Sequence, residues 1–298
     1  MRESGQSQVK MADSATAKVE REKVGLLQEF SAELPDDEYT CRLHSILTIE
    51  DNNIAVIDFN NKRLKLFNQS GGFLHSVEFD HHPRRACLTP TKDIIVTLKG
   101  ISQLAIIQYI DHQLRITNTI QTDKEYIDID AIDHKRLVAN MCGYIDVLNY
   151  EGKVLNRINH YIGEGTEGLR VKFPSSLRTR NNLLYTTEVR YNGDRSLGLQ
   201  CMICCDLFGK AIFVYKGPKE PLLFPCGVTL DKYGNIYIAC RVTSRIYKIE
   251  PNGSMESLLL SKSDGLSQPW CMWVTENMRL IFTEYESSII RMFQLPLK

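Results

Sequence analysis

The sequence lacks an apolar run approaching the roughly 18 residues that a membrane-spanning helix needs, so no membrane partner is expected. It also lacks an excess of either charge: 36 Lys+Arg stand against 36 Asp+Glu in 298 residues. That balance excludes a protein that coats nucleic acid by bulk charge, while leaving room for a local basic face. Eighteen glycines and ten prolines are too few for a fibrous or linker-rich chain. The first 24 residues have no apolar core of a secretory signal. They are expected to be disordered or a linker remnant. With 43% hydrophobic and 24% charged residues, wholesale disorder is excluded for the rest.

The nine cysteines are odd in number and fall mostly within apolar, strand-like runs. They read as reduced thiols packed in the core of a cytoplasmic protein, not as a disulfide framework. Cys201-Met-Ile-Cys204-Cys205 has the spacing of half a zinc site, but no second pair stands at a matching distance, so core packing is the better reading.

What the sequence does contain is a repeat. Short β-rich runs follow one another with turn signals between them, and no convincing amphipathic helix intervenes. One run recurs six times: Asn53–Asp58, Asp93–Leu98, Arg136–Asn140, Leu183–Glu188, Asn235–Cys240 and Arg279–Glu284. Their last residues lie 40, 42, 48, 52 and 44 positions apart. A period of this length, holding about four strands, is the signature of a propeller, because one four-stranded blade cannot bury both of its faces alone. The prediction is an all-β, six-bladed β-propeller over residues 25–298. Gln69–Gly72, Tyr150–Gly152, Phe208–Gly209 and Pro251–Gly253 supply the hairpin turn before the outer strand in four units.

The sixth unit ends one strand short, with runs at Pro269–Thr275, Leu280–Tyr285 and Ile289–Leu295. An unfilled outer position would leave an open edge. Residues 25–34 read as a single strand ahead of the first complete unit. They are expected to complete the last blade and close the ring.

Within the fifth unit, Pro225-Cys-Gly-Val-Thr-Leu-Asp-Lys-Tyr-Gly234, Asn235-Ile-Tyr-Ile-Ala-Cys240 and Ser244-Arg-Ile-Tyr-Lys-Ile249 closely resemble the NHL repeat. Asn53–Asp58 with Asn61-Lys-Arg-Leu-Lys-Leu-Phe67 fits equally well, and the other units keep only the apolar pattern. Cys240 stands where that family usually has Asp. Phe30-Ser-Ala-Glu-Leu-Pro-Asp-Asp37 leading into residues 60–67 resembles, more narrowly, the C-terminal propeller of tripartite-motif proteins. A RING, B-boxes and a coiled coil precede the propeller in those proteins, and the cysteines here contain no run of RING or B-box ligands.

The resemblance implies a non-catalytic module whose upper face selects a partner: a protein substrate in tripartite-motif ubiquitin ligases, single-stranded RNA in several relatives. It also implies that the site lies in the loops from second to third strand and from outer strand to next blade. Phe59, Lys62, Arg84, Arg85, Lys99, Tyr126, Arg190, Tyr191, Arg241, Trp270 and Tyr285 fall in those loops, with Phe173 and Phe224 beside inner-strand starts. Aromatics mixed with Arg suit a protein hot spot, and the same mixture suits stacking and phosphate contacts to RNA. With no net charge to neutralise phosphates, the protein partner ranks first. No cofactor or metal is implied, and the isolated propeller is expected to be monomeric. The enzyme alternative is a metal-dependent hydrolase built on Asp128, Asp130 and Asp133, with Glu188 and Glu284 closing second strands.

Overall fold

The computed structural model describes residues 24–163, 166, 169–191, 197–217, 222–254 and 256–296, the side chains of 190, 191 and 197–199 excepted. The expectation of disorder for residues 1–24 therefore falls, up to residue 23, outside the described residues.

Six four-stranded antiparallel sheets form a six-bladed β-propeller. Strand β1 (Gly25–Ser31) comes first and belongs to the last blade. Blade one holds β2 (Leu43–Thr48), β3 (Ile54–Asp58), β4 (Arg63–Phe67) and β5 (Phe73–Glu78). Blade two holds β6 (Pro83–Leu88), β7 (Ile94–Leu98), β8 (Gln103–Ile110) and β9 (Gln113–Gln121). Blade three holds β10 (Asp128–Ala131), β11 (Arg136–Met141), β12 (Tyr144–Asn149) and β13 (Val154–Ile158). Blade four holds β14 (Pro174–Arg180), β15 (Leu183–Tyr191), β16 (Leu197–Asp206) and β17 (Ala211–Tyr215). Blade five holds β18 (Pro225–Leu230), β19 (Ile236–Cys240), β20 (Arg245–Ile249) and β21 (Glu256–Leu260). Blade six holds β22 (Pro269–Val274), β23 (Arg279–Glu284) and β24 (Ile289–Gln294), with β1 outermost.

The six inner strands touch in ring order, from β2 through β6, β10, β14 and β18 to β22 and back to β2. As the sequence leads one to expect, β1 closes the ring, pairing antiparallel with β24 from Gly25 opposite Gln294 to Ser31 opposite Ile289. The strand stops at Ser31, short of the expected 34. Pro35 and an Asp37 side chain that accepts the Leu34 N–H turn the chain toward the first blade.

The repeat period follows from how the core is divided. Six apolar clusters line the structure, one at each seam between neighbouring blades. In β3, Ile54 and Val56 enter the seam with blade six, while Ala55 and Ile57 enter the seam with blade two. Successive side chains point to opposite faces of a strand, and here both faces are covered. That is why β3, β7 and β19 are buried along their whole length and read as unbroken apolar text. Each Ile, Leu or Val so buried contributes roughly 1.5–3 kcal/mol. Cys201, Cys204 and Cys205 are fully buried in the seams on either side of blade four, where they pack as small apolar groups.

The hairpin turns of blades one, three, four and five pack against the preceding blade. Gly152 has φ +82°, and a Cβ there would stand 2.0 Å from the Gln121 carbonyl oxygen at the end of blade two. Only glycine offers both the left-handed backbone and the missing side chain that this approach requires.

Candidate functional site

The upper mouth of the central channel is assembled from two equivalent positions in five of the blades. A residue at the end of the second strand donates its N–H to the carbonyl of the residue before the inner strand: Phe59 to Arg42 (2.9 Å), Lys99 to His82 (2.8 Å), Arg241 to Phe224 (3.1 Å) and Tyr285 to Gln268 (2.9 Å), each just past its strand, and Val189 to Phe173 (3.2 Å), still within β15. These side chains are thereby set around the channel rim. A third contribution comes from register shifts at the start of five inner strands, between Leu43 and Ser45, Pro83 and Ala86, Pro174 and Ser176, Pro225 and Gly227, and Pro269 and Met272. A bulge leaves residues outside the ladder and re-aims their side chains. Here the residues so released include His44, Arg84, Arg85 and Trp270.

These positions converge on a bowl of about 400 Å³. A chain of rings crosses its floor. His82 stacks on Phe59 at 4.7 Å, Phe59 on His44 at 4.5 Å, His44 meets Trp270 at 6.3 Å, and Trp270 meets Tyr285 at 5.2 Å. Guanidinium groups lie over the rings: Arg42 over Phe59 and Tyr285, Arg85 over Trp270, and Arg241 over Tyr285 at 4.0 Å, Phe224 at 4.6 Å and Trp270 at 5.7 Å. Lys99 sits 5.5 Å from the Phe59 ring. Phe224 reaches its place by adopting φ +57°, a conformation that bulky residues seldom take outside functional sites.

The bowl's electrostatics are one-sided. Arg42, Arg84, Arg85 and Lys99 line it, and among the described residues no carboxylate does. Arg84 is paired with Glu125 at 3.1 Å, beyond the lining. Burial, followed by the nearby Arg85, Arg42 and Arg84 charges, pushes the His44 imidazole down to about 3, so it is neutral at physiological pH. At or behind this wall, four buried ring and guanidinium nitrogens have no hydrogen-bond partner among the described residues: Arg42 Nε, His44 Nε2, Arg241 Nε and Trp270 Nε1. Buried polar groups are ordinarily paired, so a concentration of unpaired ones at a single concave surface marks where an acceptor is missing.

Of the residues expected at the upper face, Phe59, Arg84, Arg85, Lys99 and Trp270 line the bowl, with Phe173 and Phe224. Arg241 and Tyr285 pack against its rings. Lys62 lies instead on an adjoining shelf, its Nζ donating to the Asp80 carbonyl at 3.2 Å. Tyr126 must be corrected: it is 2% exposed, packs in the seam between blades two and three, and spends its hydroxyl on Asp146 Oδ2 at 2.8 Å. The side chains of Arg190 and Tyr191 lie outside the described residues. Arg42 and His44 were not among the expected residues, because nothing in the sequence announces the register shift between Leu43 and Ser45 that releases His44. The one available signal was that Arg42 holds the same place before its strand as Phe224 does before β18.

The carboxylates considered for a metal enzyme do not gather at one mouth. Asp128 accepts the N–H groups of Ile129 and Leu177, and Asp130 accepts from the Thr179 N–H and hydroxyl. Glu188 accepts from the Tyr161 hydroxyl and the N–H groups of Lys172 and Phe173. Asp133 pairs with Arg136, and Glu284 with Arg291. Among the described residues, one group has metal-ligand proximity: Asp37, Cys41 and Asp58. The Lys65 ammonium contacts all three, at 2.5, 3.4 and 2.7 Å, and occupies the place a cation would take.

The fold is thus a six-bladed β-propeller whose upper mouth carries a ring- and cation-lined bowl. In sequence, the chain is similar to E3 ubiquitin-protein ligase TRIM56, a tripartite-motif protein. It is 22% identical to the Bos taurus protein over 245 residues and 22% identical to the Homo sapiens protein over 241. The matches cover 80% of this chain but only 31% and 30% of those relatives, so the similarity concerns less than a third of their length. No family model matches. Among solved structures, the PQQ-bound aldose sugar dehydrogenase of Streptomyces coelicolor aligns with TM-score 0.64 at 11% identity, covering 92% of this chain and 98% of that one. The Pan2 WD40 domain of Neurospora crassa aligns with TM-score 0.61 at 12% identity, covering 94% and 97%. At such identities these likenesses speak to the propeller fold alone. Among the described residues, no helix is long and apolar enough to cross a membrane.

Proposed function

We propose that the chain is a non-catalytic recognition module of NHL type that docks a protein partner at its upper mouth, as the recruiting part of a ubiquitin-ligase assembly whose transfer chemistry resides in other domains. The observation that carries this reading is the bowl itself, where Trp270, Tyr285 and Phe59 are bracketed by Arg42, Arg85 and Arg241. Trp, Tyr and Arg dominate binding hot spots because they combine large rigid contact area with directed donors. The similarity to TRIM56 supports the ligase context. A reducing cytoplasm fits nine free cysteines, eight of them buried, and the isolated propeller is proposed to be a monomer.

The test uses the whole chain as bait beside an Arg241→Ala, Tyr285→Ala double variant of equal thermal stability. A partner retained by the first, lost from the second and reconstituted one-to-one from purified components supports the reading. Identical partner sets for both baits would end it.

A second reading, single-stranded RNA, is favoured by the rings and cations of the bowl, which would suit stacking and phosphate contact. Titrating a randomised RNA pool against salt separates the two. Sequence-selective binding that persists at physiological salt selects RNA, whereas weak, nonselective, low-salt binding does not.

A further inference from the structure

We propose that the bowl is a receptor for a phosphorylated side chain of the partner, whose neighbouring residues are basic. This inference rests on the protein-docking reading and specifies the chemistry of that site. Three observations lead to it.

The first is the donor set. Arg42 and Arg241 flank the Tyr285 ring, at 5.5 and 4.0 Å, while Arg85 and Arg241 share the Trp270 ring, at 5.6 and 5.7 Å. Three guanidinium groups are held around one ring pair, Arg85 donating inward to Cys271 Sγ and the Ser175 carbonyl, and among the described residues no carboxylate lines the bowl to offset their mutual repulsion. Guanidinium forks match the oxygens of a phosphate, and a phosphoryl group near physiological pH carries close to two negative charges on three strong acceptors.

The second is the unpaired nitrogens. Arg42 Nε, Arg241 Nε and Trp270 Nε1 are N–H donors buried without a partner among the described residues, and an oxyanion in the bowl satisfies them once the rings and guanidinium groups that cover them turn toward it. His44, held neutral, has one N–H to offer in addition, on whichever nitrogen carries the proton. A volume of about 400 Å³ admits a side chain and its phosphate, not a folded surface.

The third observation separates a phosphopeptide from RNA. Phe59 lines the bowl, and the residues immediately after it, Asn60, Asn61 and Lys62, line a second hollow of about 400 Å³ on the same face. That shelf holds Asp36, Glu38, Glu78 and Asp80 against only Lys62 and Arg63. Arg63 pairs with Asp36 and Glu78, at 2.9 and 2.6 Å, which leaves Glu38 and Asp80 against Lys62. A polyanion leaving the bowl in this direction meets repulsion. A peptide with a phosphate at one point and Lys or Arg beside it finds opposite charge at both. Such paired complementarity sets specificity and orientation.

The test measures fluorescence anisotropy of the full chain with short labelled peptides carrying one central phosphoserine, phosphothreonine or phosphotyrosine, flanked on one side by Lys and Arg. Unphosphorylated copies, copies with acidic flanks and a randomised single-stranded RNA pool are run alongside. The expected result is that a phosphopeptide binds about tenfold or more tightly than its unphosphorylated copy, the size of one charge-assisted hydrogen bond. Acidic flanks should weaken it. Arg241→Gln and Arg42→Gln should each abolish the phosphate preference. Should either fail to fold, Lys99→Gln at an exposed position and displacement from the wild-type chain by free phosphoserine replace it. Binding through the bowl without phosphate preference would overturn this inference and leave protein docking standing. Salt-resistant RNA binding without peptide binding would overturn both, and absence of binding to every phosphopeptide would overturn the inference.

Discussion

Lys65 Nζ stands 2.7 Å from Asp58 Oδ2 inside the first blade, and neither side chain exposes any surface. The same ammonium donates to Asp37 Oδ2 at 2.5 Å and to the Ala32 carbonyl at 3.1 Å. It therefore ties the chain that leaves the closing strand β1 to the blade that follows. Burial would raise the Asp58 pKa, but hydrogen bonds from Lys65 and Asn61 outweigh it and hold the carboxyl below its usual value. Removing one member of such a group strands the others. Lys65→Met is expected to destabilise the fold by about 3–5 kcal/mol in urea denaturation, and adding Asp37→Asn with Asp58→Asn should restore part of that. A loss under about 1 kcal/mol for Lys65→Met alone would contradict the assignment.

Two glycines separate backbone strain from steric conflict. Gly100 has φ +83° with nothing near its absent Cβ, whereas Gly152 has φ +82° with a carbonyl oxygen 2.0 Å from it. Gly100→Ala should cost about 1–2 kcal/mol, the left-handed penalty, and Gly152→Ala roughly 1–3 kcal/mol more. Thermal unfolding of both variants checks the order, and equal losses would refute it.

The imidazole of His44 provides a pH signature. Its folded pKa, about 3, lies well below the 6.5 of an unperturbed histidine. Protonation therefore favours the unfolded chain. The contribution is fully present above the unfolded pKa and is lost as pH falls below it, by about 1.4 kcal/mol per pH unit until the folded pKa is reached. His44→Gln should flatten the dependence of the urea midpoint on pH in that window. An imidazole resonance of His44 titrating near the unperturbed value would show the burial to be wrong.

Deleting β1 should leave the edge of β24 unpaired along its whole ladder. The expected outcome is a broadened, lower unfolding transition and concentration-dependent association by size-exclusion chromatography, because an unpaired strand edge recruits another. A monomer with an unchanged single transition would mean that the ring is closed by the blade seams alone.

How much of this was legible beforehand follows from what repeats and what does not. The propeller was legible because strands such as β3 and β19 are covered on both faces, and so appear as uninterrupted apolar runs at a regular spacing. Phe59, Lys99, Arg241 and Tyr285 were legible because each follows such a strand directly. Arg42 and His44 were not, since no residue type announces a bulge and the first inner strand looks as though it begins later. Tyr126 misled in the opposite direction: a tyrosine among charged loop residues reads as surface until Asp146 is seen beneath its hydroxyl. The global charge balance left room for a local basic face without locating it, because an average over the whole chain says nothing of a mouth whose lining, among the described residues, contains cations and no carboxylate.

The bulges and the loop positions that build the mouth lie outside the apolar ladders that hold the ring together. Rim and seam are thus written largely in separate letters of the same repeat, with Trp270 and Phe224 as the exceptions, since both pack against seam clusters. A lineage can exchange Lys99 or Arg241 for another side chain while the seams stay intact. For the same reason, an engineer diversifying the rim would start at those two positions and leave Trp270, which serves both surfaces.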